Sequence, residues 1–422
     1  MSEPINCNDS CCSDDFNPNS LEAEEALSRI LDSIEAINST EKVSLRSGLG
    51  RILAEDLHSN INVPSRTNSA MDGYAVVGTD LPDTGTRQLK IVGTVFAGNP
   101  LQETVKSSTC ARIMTGGVIP DGTDTVVIQE IVERVGNSIQ VGNNTKTGDN
   151  IRQAGEDIAV GDLVLSKGTQ ITPANIGLIA SLGIGEIKVT RRPRVAFFST
   201  GDELQSIGEE LEDGNVFDSN RYTIYGMLTK LGVEIIDIGI IRDVKEDVEK
   251  TFSETASYAD VVITSGGVSV GEADYVKEVL NEIGQINFWK VAIKPGRPLA
   301  FGKIKNAYFF GLPGNPVSVM VTFYQFAQPA LNKLMGSQQL EAIRIKAISM
   351  SKLNKRAGRT EYQRGILEKN EDGDLIVHKT GAQDSGILSS MSQANCFIVL
   401  PLESKDVKQG TEVTVQPFFG LV

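Results

Sequence analysis

The chain has 422 residues and a mass of 45.4 kDa, too long for one ordinary core and long enough for two to four domains. Its formal net charge is −14 and its pI about 4.8, a balance that repels nucleic acid and anionic membrane surfaces and obliges an anionic ligand to find a local basic pocket. No apolar run reaches the length of a membrane span, and the first residues lack a basic stretch followed by an apolar one, so the expectation is a cytoplasmic protein with no nucleic-acid or membrane partner.

Residues 1–20 are polar and acidic and are expected to be a disordered tail. Three of the five cysteines, Cys7, Cys11 and Cys12, crowd this tail; neither histidine lies near them, and a structural zinc site is not expected there. Cys110 and Cys396 read as buried apolar side chains, and no disulfide framework is visible. Leu21–Ile37 carries helical spacing, and Val43–Leu57, through Leu45, Leu49, Ile52 and Leu53, reads as a second helix ending near His58.

The stretch INVPSRTNSAMDGYAVV (61–77) is a shaped loop that enters a strand. Asp72 in its middle either caps a turn or takes part in chemistry. Strands at Gln88–Phe96, Thr109–Ile113, Thr125–Val132 and Ser138–Val141 make a small β module. Its most polar loop is RIMTGG (112–117), which holds Thr115. In NIRQAGEDIAVG (150–161), Arg152 with Glu156 and Asp157 is either a surface ion pair or a set that faces a bound phosphate and metal. Thr172 caps a helix that begins at Pro173.

From Arg194 onward the order β–α–β–α–β–α–β–β–β–α predicts a doubly wound α/β domain. Its central stretch is ADVVITSGGVSVGEADY (259–275). A short apolar strand there runs into Ser265, Gly266 and Gly267, small residues that bring backbone N–H groups close to an anion. Ser269, Gly271, Glu272 and Asp274 follow, and the carboxylates suit Mg²⁺ or a phosphorylated substrate. A second loop, FFGLPGNPVS (309–318), is fixed by Pro313 and Pro316 around Gly314, with a helix N-terminus behind it. Glu203, Asp243, Lys290 and Lys294 also fall just past strand ends, on the rim where open α/β sheets bind ligands. Lysines, carboxylates and N–H turns together suit a phosphate-rich, metal-bridged ligand. A last β module begins near Gln339; Arg356, Arg359 and Arg364 flank its first hairpin and read as solvated charges. With two histidines so placed, no Ser–His–Asp or Cys–His set is credible, and neither a P-loop nor a GxGxxG is present.

The motifs NSAMDGYAV (68–76), RIMTGG (112–117), IRQAGEDI (151–158), STGDEL (199–204), DSN (218–220), TSGGVSVGEADY (264–275), KPGRP (294–298) and GLPGNPVS (311–318) stand in one order. In that order and spacing the chain resembles the molybdopterin molybdotransferases, relatives of gephyrin, over roughly residues 21–420. The resemblance implies a multidomain α/β fold: a split mixed domain (21–60 and 159–190), an inserted β-rich lobe (61–158), an α/β molybdopterin-binding domain (191–340) and a C-terminal β-barrel (341–422). It implies molybdate and adenylylated molybdopterin as substrates, molybdenum cofactor and AMP as products, and Mg²⁺ as cofactor. Asp72, Asp157, Glu203, Lys290 and Lys294 fall on the family's catalytic positions. Thr115, Ser265, Gly266, Gly267, Ser269, Gly271, Pro313, Gly314 and Pro316 fall on substrate-binding ones, and Asp243 and Asp274 on metal-binding ones. The implied partners are a second copy of the chain, the molybdopterin adenylyltransferase of the preceding step, and apo-molybdoenzymes or their chaperones. The adenylyltransferase itself and a non-catalytic scaffold are the alternative readings.

In the homodimer that the resemblance implies, the lobe of one subunit completes the cleft of the other. Mixing equal amounts of an Asp72→Ala subunit with an Asp274→Ala subunit, each inactive alone, is then expected to restore about a quarter of wild-type turnover, since half the dimers are mixed and each has one intact site. No recovery after mass-verified exchange would refute the shared cleft.

Overall fold

The computed structural model describes residues 20–266, 275–338 and 341–418. Ser269, Gly271, Asp274, Gly267 and Glu272 lie outside the described residues, as do the cysteines of the tail. Contacts divide the chain into two compact units: Lys42–Val189, and the described residues of Met1–Glu41 with Thr190–Val422.

In the unit Lys42–Val189 the strands are β1 (Gly73–Val76), β2 (Arg87–Val95), β3 (Thr109–Ile113), β4 (Thr125–Ile128), β5 (Glu133–Val135) and β6 (Ser138–Val141). They form a six-stranded sheet in the order β4–β1–β3–β2–β6–β5, curled into a half-barrel, with β2 and β3 parallel and the other pairs antiparallel. Alternation along the strands puts Leu89, Ile91, Cys110, Val127, Ile139 and Val141 into one core. The rest of the unit packs on Leu53, Ile171, Ile179, Ile187 and Val189. The helix α1 here (Pro173–Ser181) starts as expected, with Thr172 and Asn175 forming a reciprocal capping box.

The helix expected over Val43–Leu57 does not form. A 3₁₀ turn, Leu45–Gly48, is followed by bridges from Ile52 to Gln170 and from Leu53 to Val189, and then by the short strand Leu57–His58. Leu49, one of the four residues that gave the helical spacing, is 53% exposed. Pairing with the later segment 163–189 overrides a local periodicity that no single apolar face supports.

The other unit holds a helix, Ala23–Ser33, and the α/β domain. Its strands are β7 (Arg194–Thr200), β8 (Glu234–Ile241), β9 (Val261–Ser265), β10 (Gly284–Lys290), β11 (Pro298–Ile304) and β12 (Ala307–Leu312). The sheet order is β8–β7–β9–β12–β11–β10; the first four are parallel, and β11 runs antiparallel to both neighbours, so β10 points the same way as β12. Helices α2 (Ser219–Leu231), α3 (Lys245–Thr255) and α4 (Tyr275–Ile283) supply the crossovers. This is the doubly wound arrangement read from the sequence. The strands are apolar on both sides, as sheets covered on both faces must be. One face buries Val195, Phe197, Ile263 and Phe310; the other buries Ala196, Phe198, Val262 and Phe309. Ser257 and the residues after it end α3, and Lys245 at its start bridges to Glu278 and Glu282 of α4 at 2.7 and 2.9 Å.

The helix behind the second proline loop spans Pro316–Leu334, with a π segment, Phe323–Ala327, in its middle. That segment faces the last module. Tyr324 stacks on Phe418 (5.7 Å) and meets Phe397 edge-on (6.0 Å), and Phe397 also meets Tyr362 (5.9 Å). The last module is a closed five-stranded barrel of β13 (Ile345–Ser349), β14 (Thr360–Lys369), β15 (Leu375–Lys379), β16 (Cys396–Leu400) and β17 (Glu412–Pro417), in the cyclic order β14–β15–β13–β17–β16. Among the described residues no helix is long and apolar enough to cross a membrane.

Phe252 on α3 is fully buried between Phe198 (5.1 Å) and Phe309 (5.5 Å). Phe252→Ala is expected to destabilise the α/β unit by about 3–5 kcal/mol, seen as a lower denaturant midpoint; an unchanged midpoint would show that this face is not the core that holds the helix.

Candidate active site

The sheet register decides what gathers at the rim. Ile240, Ser199, Ser265 and Leu312 are register partners across four parallel strands, so the residues after them leave the sheet side by side. These are Gly201–Glu203, Arg242–Asp243, Gly266 and Pro313–Pro316. β10 delivers Lys290 to the same rim through its pairing with Pro298.

Asp243 lies beside Asp202, whose Oδ1 accepts the Asp243 backbone N–H at 3.2 Å. Burial pushes the Asp243 carboxyl above the usual carboxylate range, and the negative charges of Asp202 and then Glu203 push it further. Glu203 folds back over Gly201, where a Cβ would stand 2.5 Å from Glu203 Oε2; with φ 144°, Gly201 is the residue that leaves room for this carboxylate. At Gly266, φ is 93° and a Cβ would meet the Thr200 carbonyl oxygen at 2.7 Å, so the turn after β9 closes tightly against β7.

Asn220, at the start of α2, ties two loops together. Its Nδ2 donates to Ser265 Oγ at 2.9 Å and to the Gly314 carbonyl at 2.6 Å. Asn315 in turn donates to Ser385 Oγ at 3.0 Å. The N–H groups expected to be free at the following helix are partly used: Pro316 has none, and the Val317 N–H donates to the Ser385 carbonyl at 3.0 Å. Pro313, Gly314 and Pro316 therefore shape the loop, and the barrel segment around Ser385 backs it. Among the described residues, Ser199 Oγ, Thr200 Oγ1, Thr264 Oγ1, Asp218 Oδ2 and Asn220 Oδ1 are buried with no hydrogen-bond partner. That concentration of orphaned polar atoms at one rim fits a polar ligand, because buried polar groups in folded proteins are ordinarily satisfied.

Lys294 is not on the sheet. Ile293–Lys294 pair in parallel with Thr360–Glu361 at the start of β14, and Lys294 Nζ lies 3.7 Å from Glu361 Oε1. Arg364, read as a solvated charge, is buried: its Nε donates to Ser390 Oγ at 3.0 Å and another guanidinium nitrogen to the Asp384 carbonyl at 3.0 Å. Burial pushes its pKa down to about 10. Alternating hydropathy hid it, since an arginine between Gln363 and Gly365 looks like a solvent-facing strand position.

A second gathering lies within Lys42–Val189. The ladder of Asn68–Ser69 with Ile151–Arg152, and bonds from Ser69 N to Gly117 O, Gly116 N to Ser69 O and Ala70 N to Asn150 O, lace three motif loops together. Asp72 Oδ1 accepts the Thr115 N–H (2.7 Å) and hydroxyl (2.8 Å). These two bonds, with Arg112 nearby, hold the Asp72 carboxyl below the usual carboxylate range. Asp157 is exposed, and Glu156 accepts the Gln153 N–H at 2.8 Å; among the described residues Arg152 makes no ion pair with either, so the ion-pair reading of that loop falls.

Three family models match the chain: the MoeA N-terminal region (domains I and II) over residues 21–183, a probable molybdopterin-binding domain over 196–333, and the MoeA C-terminal region (domain IV) over 346–418. A molybdopterin molybdenumtransferase of Haemophilus influenzae is 48% identical over 404 residues, covering 95% of this chain and 100% of its own. The chain belongs to the MoeA family. Gephyrin of Dictyostelium discoideum is 36% identical over 94% of this chain and 62% of its own. The crystal structure of a molybdopterin biosynthesis moeA protein from Pyrococcus horikoshii superposes with a TM-score of 0.83 at 31% identity, covering 94% of this chain and 100% of that one. In this MoeA-family chain the motif loops of the resemblance that are described are thus the loops that the two units gather, 68–72, 112–117 and 150–157 in one and the sheet rim in the other.

Because two Thr115 donors bind the charged form, Asp72 stays ionised to lower pH in the fold than in the unfolded chain. Its contribution to stability is present above the unfolded carboxylate pKa and is lost as pH falls through the lowered one. In a carboxyl NMR titration the Asp72 midpoint is expected below the ordinary aspartate value, and Thr115→Val is expected to move it upward. A midpoint that does not respond would remove Thr115 as the cause.

Proposed function

We propose that the chain inserts molybdate into adenylylated molybdopterin, giving molybdenum cofactor and AMP. The observation that carries this reading is the 48% identity over the whole length of a molybdopterin molybdenumtransferase. In this reaction the dithiolene sulfurs replace oxygens of molybdate and the adenylate bond is cleaved. Lys290 and Lys294 hold molybdate or phosphate oxygens as cations, Glu203 and Asp243 act at the rim, and Asp72 and Asp157 act from the lobe. Thr115 fixes Asp72 through its two hydrogen bonds. Ser265, Gly266, Pro313, Gly314 and Pro316 shape the walls against the substrate. The reading keeps the domain boundaries given above and a homodimer in the cytoplasm.

Mg²⁺ fits the acidic side of this rim. Burial, then the charges of Asp202 and Glu203, disfavour the ionised form of Asp243, and a cation there would offset that penalty. Among the described residues no three Asp, Glu, His or Cys side chains come close enough to hold a metal by themselves. Mg²⁺ keeps waters and takes phosphate oxygens alongside one or two carboxylates; Asp243 would be one of them, with Asp274, which lies outside the described residues, the other. Bound there, the ion would supply positive charge to phosphate oxygens, with Asp243 holding it.

The test is turnover of the purified chain with adenylylated molybdopterin, molybdate and Mg²⁺, read as AMP release and activation of an apo-molybdoenzyme. Asp243→Asn and Lys294→Ala are expected to fold and to lose at least about 10²-fold in turnover, in the range seen when one electrostatic stabiliser is removed. Chelation of Mg²⁺ is expected to stop the reaction. Accumulation of adenylylated product from ATP and molybdopterin, with molybdate left unused, would overturn the assignment in favour of the preceding step.

A further inference from the structure

Glu361 sits at the start of β14 with its side chain 5% exposed, a place where an ionised carboxylate needs partners. It has two. Gln363 Nε2 donates to Glu361 Oε2 at 3.0 Å and is itself fixed by donating to the Asn354 carbonyl at 3.0 Å. Glu361 Oε1 faces Lys294 Nζ at 3.7 Å. The nearby buried ammonium of Lys355 is taken by the carbonyls of Arg356, Leu402 and Ser404 at 3.1, 3.4 and 3.1 Å. Lys294 meets Oε1 from its half-exposed position.

The backbone adds to this. Lys294 and Glu361 are register partners in a two-residue parallel bridge between the loop after β10 and the barrel. The lysine stem thus leaves the backbone beside the carboxylate that receives its head. Lys294 itself is half exposed, and a four-carbon stem at that exposure has many rotamers to lose when it binds an anion. A carboxylate locked on a barrel strand selects among them before the ligand arrives.

We propose that Glu361 is a positioning residue, which holds the Lys294 ammonium at the edge of the rim so that it meets the anionic substrate without a search. This rests on the reading above that Lys294 serves the reaction. Glu361 touches no substrate; it acts through Lys294, and the barrel thereby contributes to a site built mainly by the α/β sheet. The charge, rather than the shape, does the positioning.

Two measurements test it on the full-length protein. Glu361→Gln, which keeps the size and the amide contact but removes the charge, is expected to lower kcat/KM by about tenfold or more, towards the roughly 10²-fold loss that a small misplacement produces. Glu361→Asp keeps the charge and is expected to recover part of the loss. The second measurement does not depend on turnover: competitive acylation with acetic anhydride, read by peptide mass spectrometry. Release of the ammonium in Glu361→Gln is expected to speed acylation of Lys294 several-fold relative to Lys290. Wild-type kcat/KM in Glu361→Gln overturns the proposal, and so does a loss of turnover with the Lys294-to-Lys290 ratio unchanged, which marks a merely structural role. Should Glu361→Gln fail to fold, Glu361→Asp carries the same two readouts with smaller changes, since it draws the carboxylate back by one methylene. Full turnover in Lys294→Ala would overturn the functional reading of that lysine, while the acylation ratio would still decide whether Glu361 holds it.

Discussion

Parallel register is the constraint on which the site of this protein depends. Ser199, Ser265 and Leu312 stand in one row because β7, β9 and β12 pair in step, and Ile240 of β8 joins the same row. Between β7, β9 and β12 a slip of one residue would turn a strand's apolar set from one helical layer to the other; only β8, at the sheet edge, shifts register, between the partners of Phe197 and Phe198. Both layers are filled, one around Phe197 and Phe310 and the other around Phe198 and Phe309, so neither has room for a slip. The hydrophobic core therefore fixes where the polar loops emerge. The chemistry at the rim inherits its alignment from packing several residues below it.

The electrostatics follow from the same arrangement. A chain of net charge −14 confines its useful cations to a few braced places. Carboxylates collect after β7 and β8, where burial and then the charge of Asp202 disfavour the ionised form of Asp243. Lysines stand at the other end of the sheet and on the loop beyond it. A substrate that carries phosphate on one side and needs a cation bridge on the other matches that polarity. Asn220 and Gly266 then set the spacing between the walls, by hydrogen bonds in the first case and by backbone in the second.

Much of this was legible in the sequence, and the exceptions have physical causes. Apolar runs bounded by Gly, Pro and Asp located the central parallel strands β7, β9 and β12, because strands buried on both faces are apolar throughout; β10, with Gln285 and Asn287 in it, begins earlier than its apolar residues indicate. The strand pattern of the barrel was equally readable. Val43–Leu57 was misread as a helix because pairing with residues more than a hundred positions later leaves no local mark. Arg364 was misread because a buried arginine and a solvated one look alike until Ser390 and the Asp384 carbonyl are seen beside it. The link from Lys294 to Glu361 was invisible for the same reason: it joins two motifs far apart in the chain through a bridge of only two residues. Asn220 was visible only as part of a motif, with nothing in its neighbours to say that it spans two loops.

The aromatic joint between the π segment and the barrel has a mechanical consequence. Phe323, Phe326, Tyr362, Phe397 and Val399 belong to the same buried cluster as Val195, Ile263 and Phe310, so the barrel and the α/β sheet share one interior. A shared cluster couples the two modules, so that loosening one loosens the packing of the other. A chain cut between them would expose Phe397 and Tyr324 together, while each fragment would keep the separate core on its other side. The barrel is in this sense a buttress: it backs the sheet through the shared cluster and pairs directly with the segment that carries Lys294.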